Sequence, residues 1–225
     1  LSSIVQANKI IDTETLYNEK LRPQFHFSTR RGWTNDPNGL VYYKGEYHLF
    51  YQHNPYGWNW GNMHWGHAVS TDLVHWKELP IALYPDQHGN MHSGSAVIDW
   101  NNTTGFEKGN EKTIVTLFTA AGNQKQGNAF SQGIAFSNDR GRTWSKYDNN
   151  PVLPNLTKYN RDPKVVWYPP ESKWIMVLYL QGDRDAHPAL SWDKSPYGFF
   201  SSSDLKQWEK ISEIHIPGDS ECPEF

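Results

Sequence analysis

The stretch Trp33-Thr34-Asn35-Asp36-Pro37-Asn38-Gly39 is a polar turn that places an acid beside a proline, just before a run typical of a strand. Two later segments are similar, Arg161-Asp162-Pro163 and Glu221-Cys222-Pro223, the last with one residue between the acid and the proline. The three acids are 126 and then 59 residues apart, and the polar turn Ser93-Gly94-Ser95 lies between the first two. An acid-bearing turn therefore recurs at about the period of a structural repeat.

A second repeated pattern combines Ser, Asp and Trp. It occurs at Ser70 to Trp76, Ser137 to Trp144 and Ser203 to Trp208, and its tryptophans are 68 and 64 residues apart. We interpret these segments as hairpin turns that the Asp side chain closes. We expect their tryptophans to pack between adjacent sheets.

Short runs rich in aromatic and β-branched residues lie between these two patterns. Leu40 to Tyr43, Tyr47 to Tyr51, Ile114 to Thr119 and Trp174 to Leu180 are examples, and they are typical of strands. Regular repeats of short antiparallel strands, without a crossover helix, predict an all-β fold: a β-propeller in which one repeat forms one four-stranded blade. Each acidic turn would precede its blade's first strand, so the acids should meet at one mouth of the channel.

The acidic turns also have a plainer interpretation. Asn-Asp-Pro-Asn-Gly is a strong turn signal, because Asn and Asp bond to their own backbone, Pro presets φ and Gly accepts a positive φ. A turn does not, however, require an acid at the same phase of three repeats. Arg161, next to Asp162, further suggests a carboxylate held in its charged form.

Composition narrows the choice of partner. The net charge of -3 and the absence of a basic run argue against nucleic acid and anionic membranes. Aromatic residues make up 15% of the 225 residues, and the segment Tyr51 to Gly61 mixes them with Asn, Gln and His. Such surfaces suit sugars, which offer a C–H face for stacking and hydroxyls for hydrogen bonds. The alternative is a loop whose aromatic residues cover a blade edge.

Metal, disulfide and membrane sites are not expected. Cys222 is the single cysteine, so an internal disulfide or a cysteine-based zinc site is excluded. The ten histidines are scattered, and neither His64 to His67 nor His88 to His92 has a supporting third ligand. We therefore expect no metal and no cofactor. The sequence contains no apolar stretch of about 18 residues, so we expect no membrane-spanning helix. The start at Leu1 is consistent with a removed signal peptide, and we expect an extracellular or periplasmic protein.

The three acidic motifs, in this order and spacing, closely resemble those of glycoside hydrolase family 32. The resemblance covers residues 22–225. It implies the fold and activities of a family that contains invertases, inulinases, levanases and related fructosyltransferases. The catalytic module of that family is a five-bladed β-propeller followed by a β-sandwich. The resemblance therefore implies a retaining hydrolase that releases terminal β-D-fructofuranosyl residues from levan, inulin or sucrose.

The resemblance also assigns roles to residues. It implies that Asp36 is the nucleophile, Glu221 the general acid/base and Asp162 a stabiliser of the transition state. Five further residues match positions with which the family lines its fructose pocket: Asn35, Gln52, Trp60, Ser93 and Arg161. Cys222 joins these substrate-binding residues, where it could tune the surroundings of Glu221; the alternative is a small buried apolar side chain.

Length sets this chain apart from the family. With repeats of about 66 residues, the chain holds three blades and the start of a fourth at Glu221, fewer than a closed propeller needs. We expect a lead segment over residues 1–21 and a partial propeller over 22–225, without the remaining blades or the sandwich. Two alternatives stay open: a fructosyltransferase on the same scaffold and a non-catalytic carbohydrate-binding propeller. A sialidase lacks support because no cluster of arginines is evident.

Overall fold

The structure is a computed structural model that describes residues 16–23, 25–122, 129–181, 195–217 and 221–224. These residues form three antiparallel sheets of four strands each, which we call blades 1, 2 and 3. Blade 1 contains β1 (Trp33–Tyr43), β2 (Glu46–Asn54), β3 (His64–Ser70) and β4 (Trp76–Leu83). Blade 2 contains β5 (Met91–Asp99), β6 (Thr113–Ala120), β7 (Ser131–Ser137) and β8 (Ser145–Lys146). Blade 3 contains β9 (Tyr159–Tyr168), β10 (Lys173–Gln181), β11 (Tyr197–Ser202) and β12 (Glu209–Ile214), with a 3₁₀ turn at Pro169–Glu171.

The first strands of the three blades lie side by side. Within each blade the strands follow one another in sequence order, and β5 contacts β1 on one side and β9 on the other. This is the arrangement of propeller blades around a channel. The four runs predicted as strands fall within β1, β2, β6 and β10, which confirms them. Within the described residues, no helix has the length and apolar character needed to cross a membrane.

Strand β6 explains how the blades stack. All eight of its residues are buried, because a strand points alternate side chains to opposite faces and a neighbouring blade covers each face. Val115 and Leu117 pack in one cluster with Met176 and Leu178 of blade 3. Phe118 and Ala120 pack in a second cluster with residues of blade 1. Blade 2 is therefore held on both sides by apolar contacts.

The predicted acidic turns differ from the structure in one respect. Asp36 and Asp162 lie inside β1 and β9, and Ser93 lies inside β5, rather than in turns before these strands. The reason is a β-bulge in each strand. Two residues, Asn35 and Asp36, oppose the single Gln52 between the pairs that flank them in β1 and β2. The polar residues at these positions thus form a bulge within the strand, not a turn before it.

The other two first strands carry the same irregularity. In β5, Ser93 is an extra residue between pairs that are consecutive on β6. In β9, Asp162 and Pro163 together oppose the single Leu178 of β10. A bulge re-aims a side chain next to the ladder. The recurrence found in the sequence is therefore a recurrence of bulges at the channel mouth.

The Ser-Asp-Trp segments form the predicted turns. Asp72, Asp139 and Asp204 each accept backbone N–H bonds from residues two to four positions later. In blade 3, however, the serine is Ser202, whose hydroxyl contacts Asp204, and the prediction of Ser203 is wrong. Ser203 is exposed, whereas Ser202 ends β11 at the same phase as the serines of the other two blades.

The turn tryptophans pack as predicted in two blades. Trp144 lies edge-on to Phe50 of blade 1, 5.3 Å between ring centroids, and Trp208 packs on the cluster shared by blades 2 and 3. Trp76 instead contacts Phe27, which precedes β1, at 6.0 Å. For Trp76, packing between two sheets stays a prediction.

The turn of blade 2 supplies a test of local stability. The carboxylate of Asp139 accepts bonds from the Ser137 hydroxyl, the backbone amides of Arg142 and Thr143, and the Thr143 hydroxyl. We expect Asp139→Ala to lower the free energy of unfolding by about 1–3 kcal/mol, because it leaves these donors without their acceptor. Urea unfolding measures the change. Asp148→Ala, at an exposed position in the following loop, is the control and should change stability by less than about 0.5 kcal/mol. Equal effects of the two substitutions would contradict a structural role for the Asp139 carboxylate.

Candidate active site

A cavity of about 560 Å³ opens where the three first strands bulge. Its wall contains all nine residues that the sequence singled out: Asn35, Asp36, Gln52, Trp60, Ser93, Arg161, Asp162, Glu221 and Cys222. The three acids come from β1, from β9 and from the segment after β12, so residues 185 positions apart in sequence meet at one place. The predicted convergence at one mouth of the channel is present in the structure.

Asp36 is held by hydrogen-bond donors from two blades. The Ser93 hydroxyl donates to Asp36 Oδ2 at 2.6 Å, and Asn35 Nδ2 donates to Oδ1 at 3.1 Å. Gln52 Nε2 donates to Ser93 Oγ and lies 3.5 Å from Asp36 Oδ2. Trp33 Nε1 in turn donates to Asn35 Oδ1 at 2.7 Å, which orients the Asn35 amide. Both carboxylate oxygens are thus positioned by side chains that have partners of their own.

Asp162 is the most buried of the three acids. Only 7% of the residue is exposed, and the backbone amide of Cys222 donates to Asp162 Oδ2 at 3.1 Å. Arg161 Nε lies 3.7 Å from the same oxygen. Burial raises the pKa of Asp162 to about 6, although Arg161 and the Cys222 amide act in the opposite direction. A pKa of about 6 still leaves this carboxylate mostly ionised at neutral pH, and Arg161 favours that form, as the sequence suggested. Desolvation nevertheless outweighs the neighbouring cation in setting the direction of the shift.

Arg161 makes its shortest ionic contact with Glu221. Its Nη2 donates to Glu221 Oε1 at 2.5 Å, and its guanidinium lies over the Tyr179 ring at 4.9 Å. Nη1 donates to the Tyr159 carbonyl at 3.0 Å, so the planar group is fixed from three sides. Half of the Glu221 side chain is exposed, against 12% for Arg161. Glu221 therefore combines an anchored oxygen with access to the open cavity.

Cys222 lies between Asp162 and solvent. The residue is exposed, and its Sγ is 3.8 Å from Asp162 Oδ2. Desolvation at the cavity wall, with Asp162 beside it, raises the pKa of the thiol to about 12, so the thiol stays neutral. The interpretation of Cys222 as a buried apolar side chain is wrong. Its backbone amide, rather than its sulfur, makes the closer contact with an acid.

The aromatic segment after β2 is divided between two surfaces. Trp60 lines the cavity, is 56% exposed and meets His92 edge-on at 5.7 Å between ring centroids. Trp58 lines a separate shallow cleft with Tyr56 and Arg31. Of the two tryptophans, only Trp60 faces the acids.

Four further residues line the cavity and were missed in the sequence: His92, Phe130, Tyr159 and Gln181. His92 directly precedes the Ser93 bulge, and this position was the available signal. Burial lowers the pKa of His92 to about 4, so the ring is neutral at physiological pH. Phe130 and Gln181 carry no local signal, because only the packing of strands brings them to the cavity. Among the described residues, no group of three His, Cys, Asp or Glu side chains could hold a metal ion.

Comparison with known proteins places the chain in a family. The family model described as "Glycosyl hydrolases family 32 N-terminal domain" matches residues 26–225. The chain is 52% identical to the levanase of Bacillus subtilis over 93% of its own length and 29% of that protein. It is 40% identical to the extracellular exo-inulinase of Aspergillus niger, covering 88% of the chain and 39% of that protein.

Solved structures agree with the sequence relatives. The crystal structure of exo-inulinase from Aspergillus awamori superimposes with a TM-score of 0.76 at 38% identity, over 88% of this chain and 40% of that one. The structure of β-fructofuranosidase from Schwanniomyces occidentalis, complexed with fructosyl-erythritol, also has a TM-score of 0.76 at 38% identity, over 91% and 38%. The prediction of an all-β propeller, of which this chain carries three blades, is confirmed. The chain spans well under half the length of each of these relatives. The match to the N-terminal domain over most of its length shows that the chain belongs to glycosyl hydrolases family 32.

Proposed function

We propose that the protein is a retaining glycoside hydrolase that releases terminal β-D-fructofuranosyl residues from levan, inulin or sucrose. The observation that carries this proposal is the meeting of Asp36, Asp162 and Glu221 in one cavity, each with a different set of partners. Levanase, exo-inulinase and invertase are the names of relatives that support this substrate class.

Asp36 is the proposed nucleophile. Retention needs a carboxylate that attacks the anomeric carbon and a second carboxyl group about 5–5.5 Å away. Asp has a short arm, and the donors Asn35 and Ser93 limit its rotation, so the attacking oxygen is held in place before substrate binds. Such positioning lowers the entropic part of the barrier.

Glu221 is the proposed general acid/base. In the first step it gives a proton to the leaving glycosidic oxygen, and the Asp36–fructosyl ester forms as the glycosidic bond breaks. In the second step it takes a proton from water, which attacks the anomeric carbon and releases Asp36. Its longer side chain and its exposure allow it to reach both the leaving oxygen and the water.

Asp162 is the proposed stabiliser of the transition state. The reacting ring develops positive charge, and a buried carboxylate opposes that charge more strongly than an exposed one. We propose that it also accepts hydrogen bonds from fructose hydroxyls. The remaining wall residues suit a polar ring: Asn35, Gln52, Ser93 and Arg161 offer hydrogen bonds, Trp60 offers a stacking surface, and Cys222 closes the wall beside Asp162.

The location and the domain division are proposals of the same kind. Relatives named as extracellular exo-inulinases support secretion. We propose that the propeller domain begins near residue 22 and that residues 1–21 form a lead segment. Tyr17, in the described part of that segment, donates a hydrogen bond to Glu78 of blade 1 at 2.7 Å. A lead segment that touches blade 1 is consistent with this division.

Fructose release from sucrose, inulin and levan is the direct test of the proposal. We expect the intact protein to liberate free fructose from at least one of them. Oligosaccharides formed at high sucrose concentration would identify a fructosyltransferase instead. Binding without turnover of any of the three would identify a carbohydrate-binding protein.

The two roles proposed for Asp36 and Glu221 predict different kinetics. Glu221→Ala should lower kcat on sucrose by about 10²- to 10⁴-fold, because general acid catalysis is lost. With an activated fructoside whose leaving group needs no proton, Glu221→Ala should still show a burst of leaving group, since Asp36 can attack while hydrolysis of the ester is slow. Asp36→Ala should lose as much activity and show no burst. Rapid-mixing kinetics measures both variants, with Asp148→Ala as the control. A burst of leaving group in Asp36→Ala would exclude Asp36 as the nucleophile.

The raised pKa of Asp162 predicts the pH at which kcat/KM falls on the acid side of its pH profile. We expect kcat/KM to fall as the pH falls through about 6, because Asp162 then binds a proton and loses the charge that opposes the developing cation. Arg161→Gln should move this fall to higher pH, since the guanidinium favours the ionised carboxylate. Arg142→Gln is the control, because Arg142 pairs with Glu46 away from the cavity. An acid limb that stays in place in Arg161→Gln would contradict the assignment to Asp162.

A further inference from the structure

Two polar side chains of blade 2 lie behind the cavity wall, and the mechanism above does not use them. Thr119 is the penultimate residue of β6, and Gln132 is its partner in the β6–β7 ladder. Both are fully buried. Buried polar groups are retained at a cost unless their hydrogen bonds are satisfied, so the partners of these two side chains indicate what they do.

The donor and acceptor of each hydrogen bond made by Thr119 and Gln132 can be assigned. The Thr119 hydroxyl donates to Gln132 Oε1 at 2.8 Å, so its single proton is used and its oxygen is left as an acceptor. That oxygen accepts the backbone N–H of Asp162 at 3.0 Å. At the other end of the amide, Gln132 Nε2 donates to the backbone carbonyl of Asn160 at 2.9 Å. The pair therefore forms a bridge from blade 2 to two backbone groups of β9.

The two backbone groups held by this bridge lie on either side of Arg161. The Asn160 carbonyl belongs to the peptide bond before Arg161, and the Asp162 amide belongs to the peptide bond after it. Fixing both peptide planes fixes the direction in which the Arg161 side chain leaves the backbone. It also fixes the backbone from which the Asp162 carboxylate projects.

The backbone at this point needs such support. Asp162 has φ of 62°, the left-handed region that side-chain-bearing residues rarely adopt. The bulge opposite Leu178 interrupts the ladder to β10, and Pro163 has no N–H to contribute. A buried amide whose ladder partner is interrupted requires another acceptor, and Thr119 supplies it.

We propose that Thr119 and Gln132 are positioning residues of the active site, which hold Arg161 and Asp162 in register with Glu221. This inference rests on the proposed function of Asp162 and Glu221. It assigns to the second and third strands of blade 2 a part in the chemistry of blade 3.

The test compares variants of the intact protein with sucrose as substrate. Thr119→Val keeps the shape of the side chain and removes the acceptor, and Gln132→Met removes the amide. Each should lower kcat about 100-fold with KM changed only a few-fold, because a small displacement of catalytic groups costs rate more than binding. Thr119→Ser keeps the hydroxyl and should restore kcat to within a few-fold of the wild type. The double variant Thr119→Val/Gln132→Met should lose no more than either single variant, since both break one bridge.

A matched control lies at the other end of the same strand. The Thr113 hydroxyl donates to Asn138 Oδ1 at 2.8 Å, and Asn138 Nδ2 donates to the Phe106 carbonyl at 3.0 Å. This second Thr–amide bridge repeats the hydroxyl-to-amide and amide-to-carbonyl hydrogen bonds and holds no residue of the cavity. Thr113→Val should therefore lower the melting temperature and leave kcat unchanged. Equal losses of kcat in Thr113→Val and Thr119→Val, or full kcat in Thr119→Val, would overturn the proposal.

A crystal structure of Thr119→Val tests the positioning without reference to activity. We expect the Asp162 backbone to leave the left-handed region and Asp162 Oδ2 to separate from the Cys222 amide. An unchanged Asp162 in that structure would overturn the inference. A wild-type protein that releases no fructose would overturn the proposed function instead, and the crystal structure would still decide whether Thr119 places Asp162.

Discussion

An extra residue beside Asp36, Ser93 and Asp162, in the first strand of each blade, is the constraint on which the site depends. A regular strand points its side chains alternately to its two faces, and in this stack both faces of a central strand are covered by neighbouring blades. A polar side chain in such a strand would be buried in an apolar layer. The bulges at Asp36, Ser93 and Asp162 break the alternation and aim these side chains at the mouth of the channel instead. Because the blades are equivalent, the three bulges lie at one level and their side chains converge.

The three converging acids repel one another, and the cation Arg161 offsets part of that repulsion. Arg161 lies between Asp162 and Glu221, at 3.7 Å from the first and 2.5 Å from the second. The more distant acid is also the more buried one, so desolvation prevails there and raises the pKa of Asp162. Glu221, at the exposed side, receives the closer contact. The two carboxyl groups thus lie in different environments, one buried in the wall and one open to the cavity.

The parts of this architecture that could be predicted from sequence are those with a local physical cause. The Ser-Asp-Trp turns are closed by hydrogen bonds between residues a few positions apart, so their sequence pattern predicts them. The wrong serine was chosen only in blade 3, where Ser201 to Ser203 are consecutive and the turn uses Ser202. The recurrence of acids beside proline predicted the convergence. The partner of Arg161 could not be read in this way, because it depends on where the segment after β12 crosses the cavity. Phe130 and Gln181 escaped prediction for the same reason, since nothing near them in sequence marks the wall they form.

Strand β6 connects the stability of the blade stack to the geometry of the site. Val115 and Leu117 point to blade 3 and pack with Met176 and Leu178, and Thr119 continues the same face as the strand nears the cavity. The apolar contacts therefore set the distance between β6 and blade 3. At that distance Thr119, on the same face of β6, accepts a hydrogen bond from the backbone N–H of Asp162. Close-packed interiors transmit small displacements rather than absorb them. A change in the packing of blades 2 and 3, far from any sugar, would for that reason move the carboxylate that is proposed to oppose the charge of the transition state.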